Sequence, residues 1–145
     1  MKISTKSRYG LRILIEVCIN TDNGISSRGR EIAKSQSLSE AYLEQIMIPM
    51  KTNNYIKTQR GCKGGYTLNC PAEDITMLDI IETFEGKVNF VGCVDDTSCD
   101  RFSICASQAV WSDLSKSFRE KANEVTLRDI VDKHLEKNKM IDFII

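Results

Sequence analysis

The glycine-rich segment RGCKGG, at residues 60–65, constrains the fold more than any other part of this chain. It separates two short segments, YIKTQ and YTLN, whose aromatic and β-branched residues favour strands. Two strands joined by a turn of this composition predict an antiparallel hairpin. The hairpin closes a unit that begins with helical patterns over residues 6–20, 28–36 and 39–53.

The three helical patterns come in an order that is typical of DNA-binding domains. The first is apolar over a wide arc, which indicates a largely buried helix. Ser39 is a good N-cap for the third, and Pro49 should kink or shorten that helix. Two short helices behind a buried helix and before a hairpin predict a winged helix-turn-helix. We therefore expect a mostly α fold with a small β-hairpin wing.

Charge divides the chain into a basic half and an acidic half. Residues 1–70 hold 11 Lys and Arg against 5 Asp and Glu, a net charge of +6. Residues 71–145 hold 9 against 15, a net charge of −6. A basic half can follow the phosphates of a nucleic acid. The chain has one histidine, no phosphate-binding loop and no nucleophile paired with a base, so we expect no enzyme.

The candidate DNA contacts come from the third helix and the hairpin. A recognition helix contacts base edges with its N-terminal residues, and the carboxylate of Glu44 can accept from cytosine N4. On the hairpin, basic side chains are expected at phosphates or in a narrow minor groove, and glycines allow a close approach to DNA. The predicted DNA-binding residues are Arg28, Ser39, Glu40, Tyr42, Glu44, Gln45, Arg60, Gly61, Lys63 and Gly64.

The acidic half contains three helical patterns and one irregular segment. An amphipathic helix is predicted over residues 74–84, with Asp74 near its start and Gly86 ending it. Residues 87–105 are irregular. A helix follows over residues 106–122, with an apolar stripe that can pack on the domain or on a second subunit. Thr126 is the expected cap of a last helix, to residue 137.

Three of the six cysteines form an evenly spaced set. Cys93, Cys99 and Cys105 stand six residues apart in the irregular segment. Thiolates select soft metals and iron–sulfur clusters. Their spacing is not that of a zinc finger, although a structural zinc site remains an alternative. We expect no secretory signal, no membrane span and a reducing, cytoplasmic location, where cysteines are more often ligands or redox sensors than disulfides.

Several motifs together resemble one family. KISTKSRYGLRILIEV, LSEAYLEQI, RGCKGGYTL and a C-x5-C-x5-C triplet followed by AVW are similar to the winged-helix regulators typified by IscR, NsrR and CymR. The resemblance runs to about residue 131, and the triplet favours the IscR-like, cluster-binding branch. It implies a cytoplasmic transcription regulator, most simply a repressor. The regulator would bind a pseudo-palindromic double-stranded DNA operator as a homodimer, through a long helix after the cysteines.

The same resemblance assigns roles to single residues. Glu44 and Arg60 match base-contacting and groove-contacting positions. Ala41 stands where IscR-like members have a serine that contacts DNA, and its methyl side chain has no hydroxyl with which to do so. The implied division is a DNA-binding domain at residues 1–86, a cluster-binding loop at 87–105, and a dimerisation helix with a C-terminal segment at 106–145.

The implied cofactor is an iron–sulfur cluster on the three cysteines, [2Fe–2S] in preference to [4Fe–4S]. Gln108 stands where the IscR pattern has a histidine ligand, and an amide oxygen is a poor ligand for iron. Three alternatives stay open: Gln108 binds weakly, a residue from elsewhere such as the other subunit completes the set, or one iron of a [4Fe–4S] cluster stays open. Arg8 occupies roughly the position of an aspartate ligand in NsrR-like members, and His134 lies far along the chain.

A second hypothesis keeps the DNA binding and omits the cluster. In this CymR-like alternative, the chain senses cysteine metabolism or thiol redox state. The apolar tail MIDFII, at residues 140–145, ends in DFII, which resembles tails that are presented to cysteine synthase, although packing against the dimer explains it more simply.

Overall fold

The computed structural model describes residues 2–142, which hold six α-helices and one two-stranded antiparallel hairpin. The predicted fold class, mostly α with a small wing, is confirmed. The helices are α1 (Thr5–Asp22), α2 (Gly29–Ser35), α3 (Glu40–Thr52), α4 (Met77–Glu85), α5 (Ala106–Glu124) and α6 (Leu127–Asp142). The strands are β1 (Ile56–Gln59) and β2 (Gly65–Leu68).

The hydrophobic core surrounds α1, as the wide apolar arc of this helix predicts. Ile13, Leu14 and Val17 are fully buried, and α1 packs against α3, α4, α6 and β2. Leu127 and Val131 of α6 lie in the same core. The last helix therefore packs against the basic half of the chain, although it belongs to the acidic half.

Helix α3 begins as predicted, because the Tyr42 N–H donates to Ser39 Oγ at 3.2 Å. Pro49 does not shorten the helix, which continues to Thr52, so that part of the prediction is wrong. Proline removes one backbone donor. The buried side chains of Met47 and Met50 nevertheless hold the last turn of the helix against the core.

Helix α4 begins at Met77, later than predicted. Thr76 and Asp79 form a capping box, in which the Thr76 N–H donates to Asp79 Oδ2 at 2.9 Å and the Asp79 N–H donates to Thr76 Oγ1 at 3.1 Å. Asp74 belongs instead to a separate 3₁₀ turn, Ala72–Asp74. Gly86 ends the helix as predicted, with a φ of 76°.

A similar reciprocal pair starts α6, as Thr126 predicts. The Thr126 N–H donates to Asp129 Oδ2 at 2.8 Å, and the Asp129 N–H donates to Thr126 Oγ1 at 3.2 Å. The helix then runs beyond the predicted residue 137, to Asp142. Residues 143–145 of the apolar tail, on which the cysteine synthase hypothesis depends, lie outside the described residues. Between residues 2 and 142, no helix is long and apolar enough to span a membrane.

Candidate functional site

Helix α3 has one buried face and one exposed face. Leu43, Ile46, Met47 and Met50 form the buried face. Besides Glu40 in the first turn, the exposed side chains are Ala41, Glu44, Gln45, Ile48 and Thr52, which follow one another at helical spacing. A recognition helix needs such a free surface to enter the major groove. Glu44 and Gln45, both predicted DNA contacts, therefore lie on the face that is open to a ligand.

The other predicted contacts on this helix are engaged within the protein. Ser39 acts as the N-cap, and Glu40 pairs with Arg30 at 3.5 Å, on the surface. Tyr42 is half-buried, and its ring meets the Tyr9 ring edge to face, with centroids 6.3 Å apart. The ring of Tyr42 thus stabilises the packing of α3 on α1. A DNA contact from any of these residues stays a prediction.

The wing turn depends on glycine at two positions. Gly61 has a φ of 111°, which L side chains rarely adopt. A Cβ on Gly64 would lie 2.5 Å from the carbonyl oxygen of Gln59, so no side chain fits there without a backbone shift. This tight turn leaves Arg60 and Lys63 exposed at the tip of the hairpin, where phosphates would meet them.

The start of α2 is tied to the wing. The Ser27 N–H donates to the Tyr66 carbonyl at 2.9 Å, and the Tyr66 N–H donates to the Ser27 carbonyl at 2.8 Å. Arg28 Nη2 donates to the Cys62 carbonyl in the wing turn at 3.0 Å, and its Nη1 lies 3.8 Å from Glu31. The structure therefore brings Arg28 beside the wing tip, where it helps to hold the turn.

Sequence reasoning missed Tyr66, which joins the wing to the recognition helix. Its hydroxyl donates to Glu44 Oε1 at 2.7 Å, across 22 residues of sequence. Lys51 Nζ lies 3.8 Å from Glu44 Oε2 and 5.5 Å from the centroid of the Tyr66 ring. Burial raises the pKa of Tyr66 to about 12, and the Glu44 carboxylate adds to this effect. The signal in the sequence was an aromatic residue directly after the glycines of the wing turn.

The cysteine segment, residues 87–105, lies on the surface. Cys99 is exposed, whereas Cys93 and Cys105 are half-buried, and all three thiols are free. Over the described range 2–142, no three His, Cys, Asp or Glu side chains are grouped so that they would hold a metal ion. The predicted ligand set is therefore present on one segment but is not assembled. Gln108 is half-buried in the first turn of α5.

Cys105 occupies the N-cap position of α5. Its Sγ lies 3.1 Å from the Ser107 hydroxyl oxygen. The Ser107 hydroxyl, followed by the backbone amide of Gln108, lowers the pKa of the Cys105 thiol. Hydrogen-bond donors at a helix N-terminus favour the thiolate, which is the form that binds metals.

The donor chemistry of the segment fits an iron–sulfur cluster, since three thiols are the ligands that such clusters use. The amide of Gln108 is a hard donor and fits less well. Three thiolates held close together would repel one another without a cation between them.

The hydrogen bonds from residues 87–104 to the rest of the described chain come from the start of the cysteine segment, whereas its Gly92–Val94 turn packs against α5. The Val88 N–H donates to Glu82 Oε1 at 3.1 Å, and Arg119 of α5 donates to the same carboxylate. The Phe90 N–H donates to Ser115 Oγ at 3.1 Å. Beyond residue 91, the hydrogen bonds of the backbone N–H groups run to carbonyl or carboxylate oxygens within four residues. Such short-range bonding gives little resistance to local opening.

Helix α5 carries an apolar stripe that residues 2–142 leave partly exposed. Val110 is 58% exposed, Trp111 39% and Leu114 48%, and they lie on adjacent turns of one face. Only Ser115 and Ala122 of its 19 residues are buried. An exposed stripe of this kind is typical of a protein–protein interface.

Comparisons with known proteins agree on one family. The Rrf2 family model, described as an iron-dependent transcriptional regulator, matches residues 3–133. The HTH-type transcriptional regulator CymR of Bacillus subtilis is 36% identical over 130 residues, which cover 90% of this chain and 89% of CymR. These names are those of transcription regulators, which confirms the expectation that the chain is not an enzyme.

Solved structures give the same result for the fold. The structure of CymR, the global cysteine regulator of B. subtilis, superposes with a TM-score of 0.77 at 32% identity, over 92% of this chain and 98% of that one. The structure of IscR from T. potens superposes with a TM-score of 0.73 at 29% identity, over 92% and 88% of the two chains. The chain is therefore similar to both an IscR and a CymR.

Proposed function

This chain belongs to the Rrf2 family of transcriptional regulators, and from that premise we propose that it is a homodimeric, DNA-binding repressor whose cysteine segment senses iron–sulfur cluster status, oxygen, nitric oxide or redox state. The observation that carries the DNA-binding proposal is the shared surface of α3 and the wing. The exposed face of α3 carries Glu44 and Gln45, the wing tip carries Arg60 and Lys63, and the hydrogen bond from Tyr66 to Glu44 joins the wing to α3. Base contacts from the helix and phosphate contacts from the wing would then act together.

The dimer proposal rests on α5. Its stripe of Val110, Trp111 and Leu114 is large enough to disfavour full exposure, and a second copy of the same helix offers a matching apolar surface. A two-fold dimer would present two recognition helices to two half-sites. The expected operator is therefore pseudo-palindromic double-stranded DNA.

The sensing proposal rests on the donor set. Cys93, Cys99 and Cys105 would hold an iron–sulfur cluster, with Gln108 or a residue outside the segment as the fourth ligand. The iron-dependent description of the family model supports this role. A bound cluster supplies redox-active iron and local charge. The protein contributes the Cys105 N-cap, which favours the thiolate, and the Glu82–Arg119 pair, which connects α4 to α5 beside the segment.

A second candidate function is a cluster-free regulator of CymR type. Two observations favour it: no metal-holding group is assembled within residues 2–142, and the chain is similar to the global cysteine regulator of B. subtilis. In this version, oxidation of the cysteine thiols, or a partner such as cysteine synthase, would supply the signal. If removal of residues 141–145 causes no decrease in binding to cysteine synthase, the hypothesis that this enzyme is a partner is wrong.

DNA binding is tested by selection from a random double-stranded DNA library with the purified protein, followed by gel-shift on the enriched sequence. We expect one motif with two half-sites. The double variant Arg60→Ala/Lys63→Ala should bind that motif at least tenfold more weakly, because a dimer of this variant neutralises several fewer phosphates. The cysteine segment offers a control in Arg101→Ala, which should bind as the wild type does. If no sequence is enriched from the library at physiological salt, the DNA-binding proposal is wrong.

The cluster is tested by anaerobic purification of wild type beside Cys99→Ala, with iron, acid-labile sulfide and the visible spectrum measured on both. We expect colour and iron in the wild type and neither in the variant. Cys62→Ala, which removes an exposed thiol on the wing, should keep both. A colourless wild type without iron or sulfide, even after reconstitution, would leave the cluster-free candidate.

A further inference from the structure

We propose that Tyr66 is a positioning residue for Glu44, so that a hydroxyl on the wing sets the base preference of the recognition helix. This inference rests on the proposed function, in which Glu44 contacts a base. It adds a residue that needs no contact with DNA. It also gives the wing a second role besides binding phosphate.

The position of Tyr66 is strongly constrained by its neighbours. It lies in β2 opposite Thr58 of β1, and on its other side its N–H and carbonyl bond to the backbone of Ser27. The residue is 9% exposed, and its ring lies against the backbone at Gly29. A side chain packed in this way has few alternative rotamers. The hydroxyl is therefore presented to α3 from a rigid support.

Glu44 differs, because its side chain is 52% exposed. One carboxylate oxygen accepts from Tyr66 at 2.7 Å, and the other faces Lys51 at 3.8 Å. Each carboxylate oxygen has further acceptor capacity, so a base amino group can still be bound. The two contacts thus select one orientation of a side chain that remains open to DNA.

Pre-organisation of this kind contributes to binding by removing an ordering cost. Immobilising a long, flexible side chain on binding weakens the complex by about 2- to 10-fold. With Tyr66 in place, that cost is met when the protein folds. Without the hydroxyl, only the 3.8 Å contact with Lys51 would orient Glu44, so both the gain at the correct base and the penalty at the wrong bases would fall.

The test uses the four single-base variants of the selected operator at the position where Glu44→Ala changes base preference most. The affinities of wild type, Tyr66→Phe, Glu44→Ala and the double variant are compared at each base. Tyr66→Phe keeps the ring and removes only the hydroxyl. Tyr55→Phe, which removes a hydroxyl at the opposite end of the hairpin, is the matched control. Circular dichroism confirms folding, and the salt dependence of binding reports phosphate contacts separately.

We expect Tyr66→Phe to reduce discrimination at the Glu44 position by about 2- to 10-fold, with other positions and the salt slope unchanged. In the Glu44→Ala background the same substitution should change nothing. Tyr55→Phe should behave as wild type. Full discrimination in Tyr66→Phe, or an equal decrease with and without Glu44, would overturn the positioning role while leaving DNA binding intact. If Glu44→Ala alters base preference at no position of the operator, both base recognition by Glu44 and the positioning role of Tyr66 are wrong. If the random library yields no enriched sequence, the DNA-binding proposal itself is wrong.

Discussion

The α3–wing surface and the cysteine segment differ in how far the chain itself completes them. The α3–wing surface stands on a buried helix face, and side chains from distant parts of the sequence hold its parts together, as Tyr66 and Glu44 do. The cysteine segment is hydrogen-bonded to the rest of the protein at its first residues and packs on α5 at Gly92–Val94, and beyond residue 91 its backbone bonds are short in sequence. The first region is preformed, whereas the three cysteines of the second are not grouped into a metal-holding set within residues 2–142.

Because of this difference, the two regions should lose different amounts of conformational entropy when they bind a ligand. A preformed surface loses little conformational entropy when it meets DNA. A weakly held segment must be ordered by whatever it binds, so its conformation can report whether that ligand is present. A regulator needs both properties, one for recognition and one for response.

The largest expected effect is on the free energy of unfolding, and it compares a buried residue of α3 with an exposed residue of the cysteine segment. Ile46→Ala removes a fully buried side chain of α3, and we expect the free energy of unfolding to fall by about 2–5 kcal/mol. Cys99→Ala in iron-free protein alters an exposed side chain, so the change should stay within about 0.5 kcal/mol. Urea unfolding followed by circular dichroism measures both. Equal decreases would show that the cysteine segment is as well supported as α3.

A pair of glycine substitutions sharpens the same contrast. Gly64→Ala places a methyl group 2.5 Å from the Gln59 carbonyl oxygen, and the expected loss of stability is about 1–3 kcal/mol, with weaker DNA binding. Gly92→Ala, in the cysteine segment, meets no atom within 4 Å and should be nearly neutral. Thermal unfolding and gel-shift on both variants provide the check. If Gly64→Ala changes neither stability nor DNA binding, the backbone of the wing turn can shift to accommodate a side chain.

The ionic contacts should divide between the regions in the same way. Arg60→Ala is expected to reduce the slope of log affinity against log salt by about one for each phosphate that is no longer neutralised. Arg101→Ala, which removes an exposed arginine of the cysteine segment, should leave the slope unchanged. Fluorescence anisotropy with labelled operator at several salt concentrations measures the slopes. A matching decrease from Arg101→Ala would extend the DNA surface to the cysteine segment.

The smallest expected effect concerns pH. Arg128 of α6 donates to Asp22 at the end of α1, with distances of 2.7 and 3.1 Å, and this hydrogen bonding lowers the pKa of Asp22. A lowered pKa stabilises the folded state above the ordinary Asp pKa of about 4, and this contribution is lost as pH falls below that value. Because the pair is partly exposed, Asp22→Asn should cost less than about 1 kcal/mol at neutral pH. The difference in free energy of unfolding between wild type and Asp22→Asn should decrease as the pH falls.

Unfolding of both proteins in urea between pH 7 and pH 3 measures that difference. Asp95→Asn supplies the comparison, since Lys87 lowers the pKa of Asp95 on the weakly held segment. That segment can open without unfolding the core, so the variant should leave global unfolding unchanged. A difference in unfolding free energy between wild type and Asp22→Asn that is as large at pH 3 as at pH 7 would rule out the ion pair as its source.

Local signals predicted most of the fold. Ser39, Gly86 and Thr126 mark helix ends because capping depends on residues close in sequence. The start of α4 was missed because Asp74 is also a good early-helix residue, and only the reciprocal bonds of Thr76 and Asp79 decide between the two.

The site was less predictable because it depends on contacts across the sequence. The exposure of Arg60 and Lys63 follows from a turn, whereas the bond from Tyr66 to Glu44 requires the wing to pack on α3. Spacing identified the three cysteines as a donor set. It does not determine their arrangement, because residues 92–105 bond mainly to near neighbours in sequence and no metal-holding group is assembled within residues 2–142.

Hydrogen–deuterium exchange on the iron-free wild type, before and after anaerobic addition of ferrous iron and sulfide, tests the contrast between the two regions most directly. Before addition, the account predicts fast exchange over residues 92–105 and strong protection over α1 and α3. After addition, protection should rise over residues 92–105 and stay unchanged in α3. Residues 92–105 that are already as protected as α3, or that gain no protection from iron and sulfide, would contradict it.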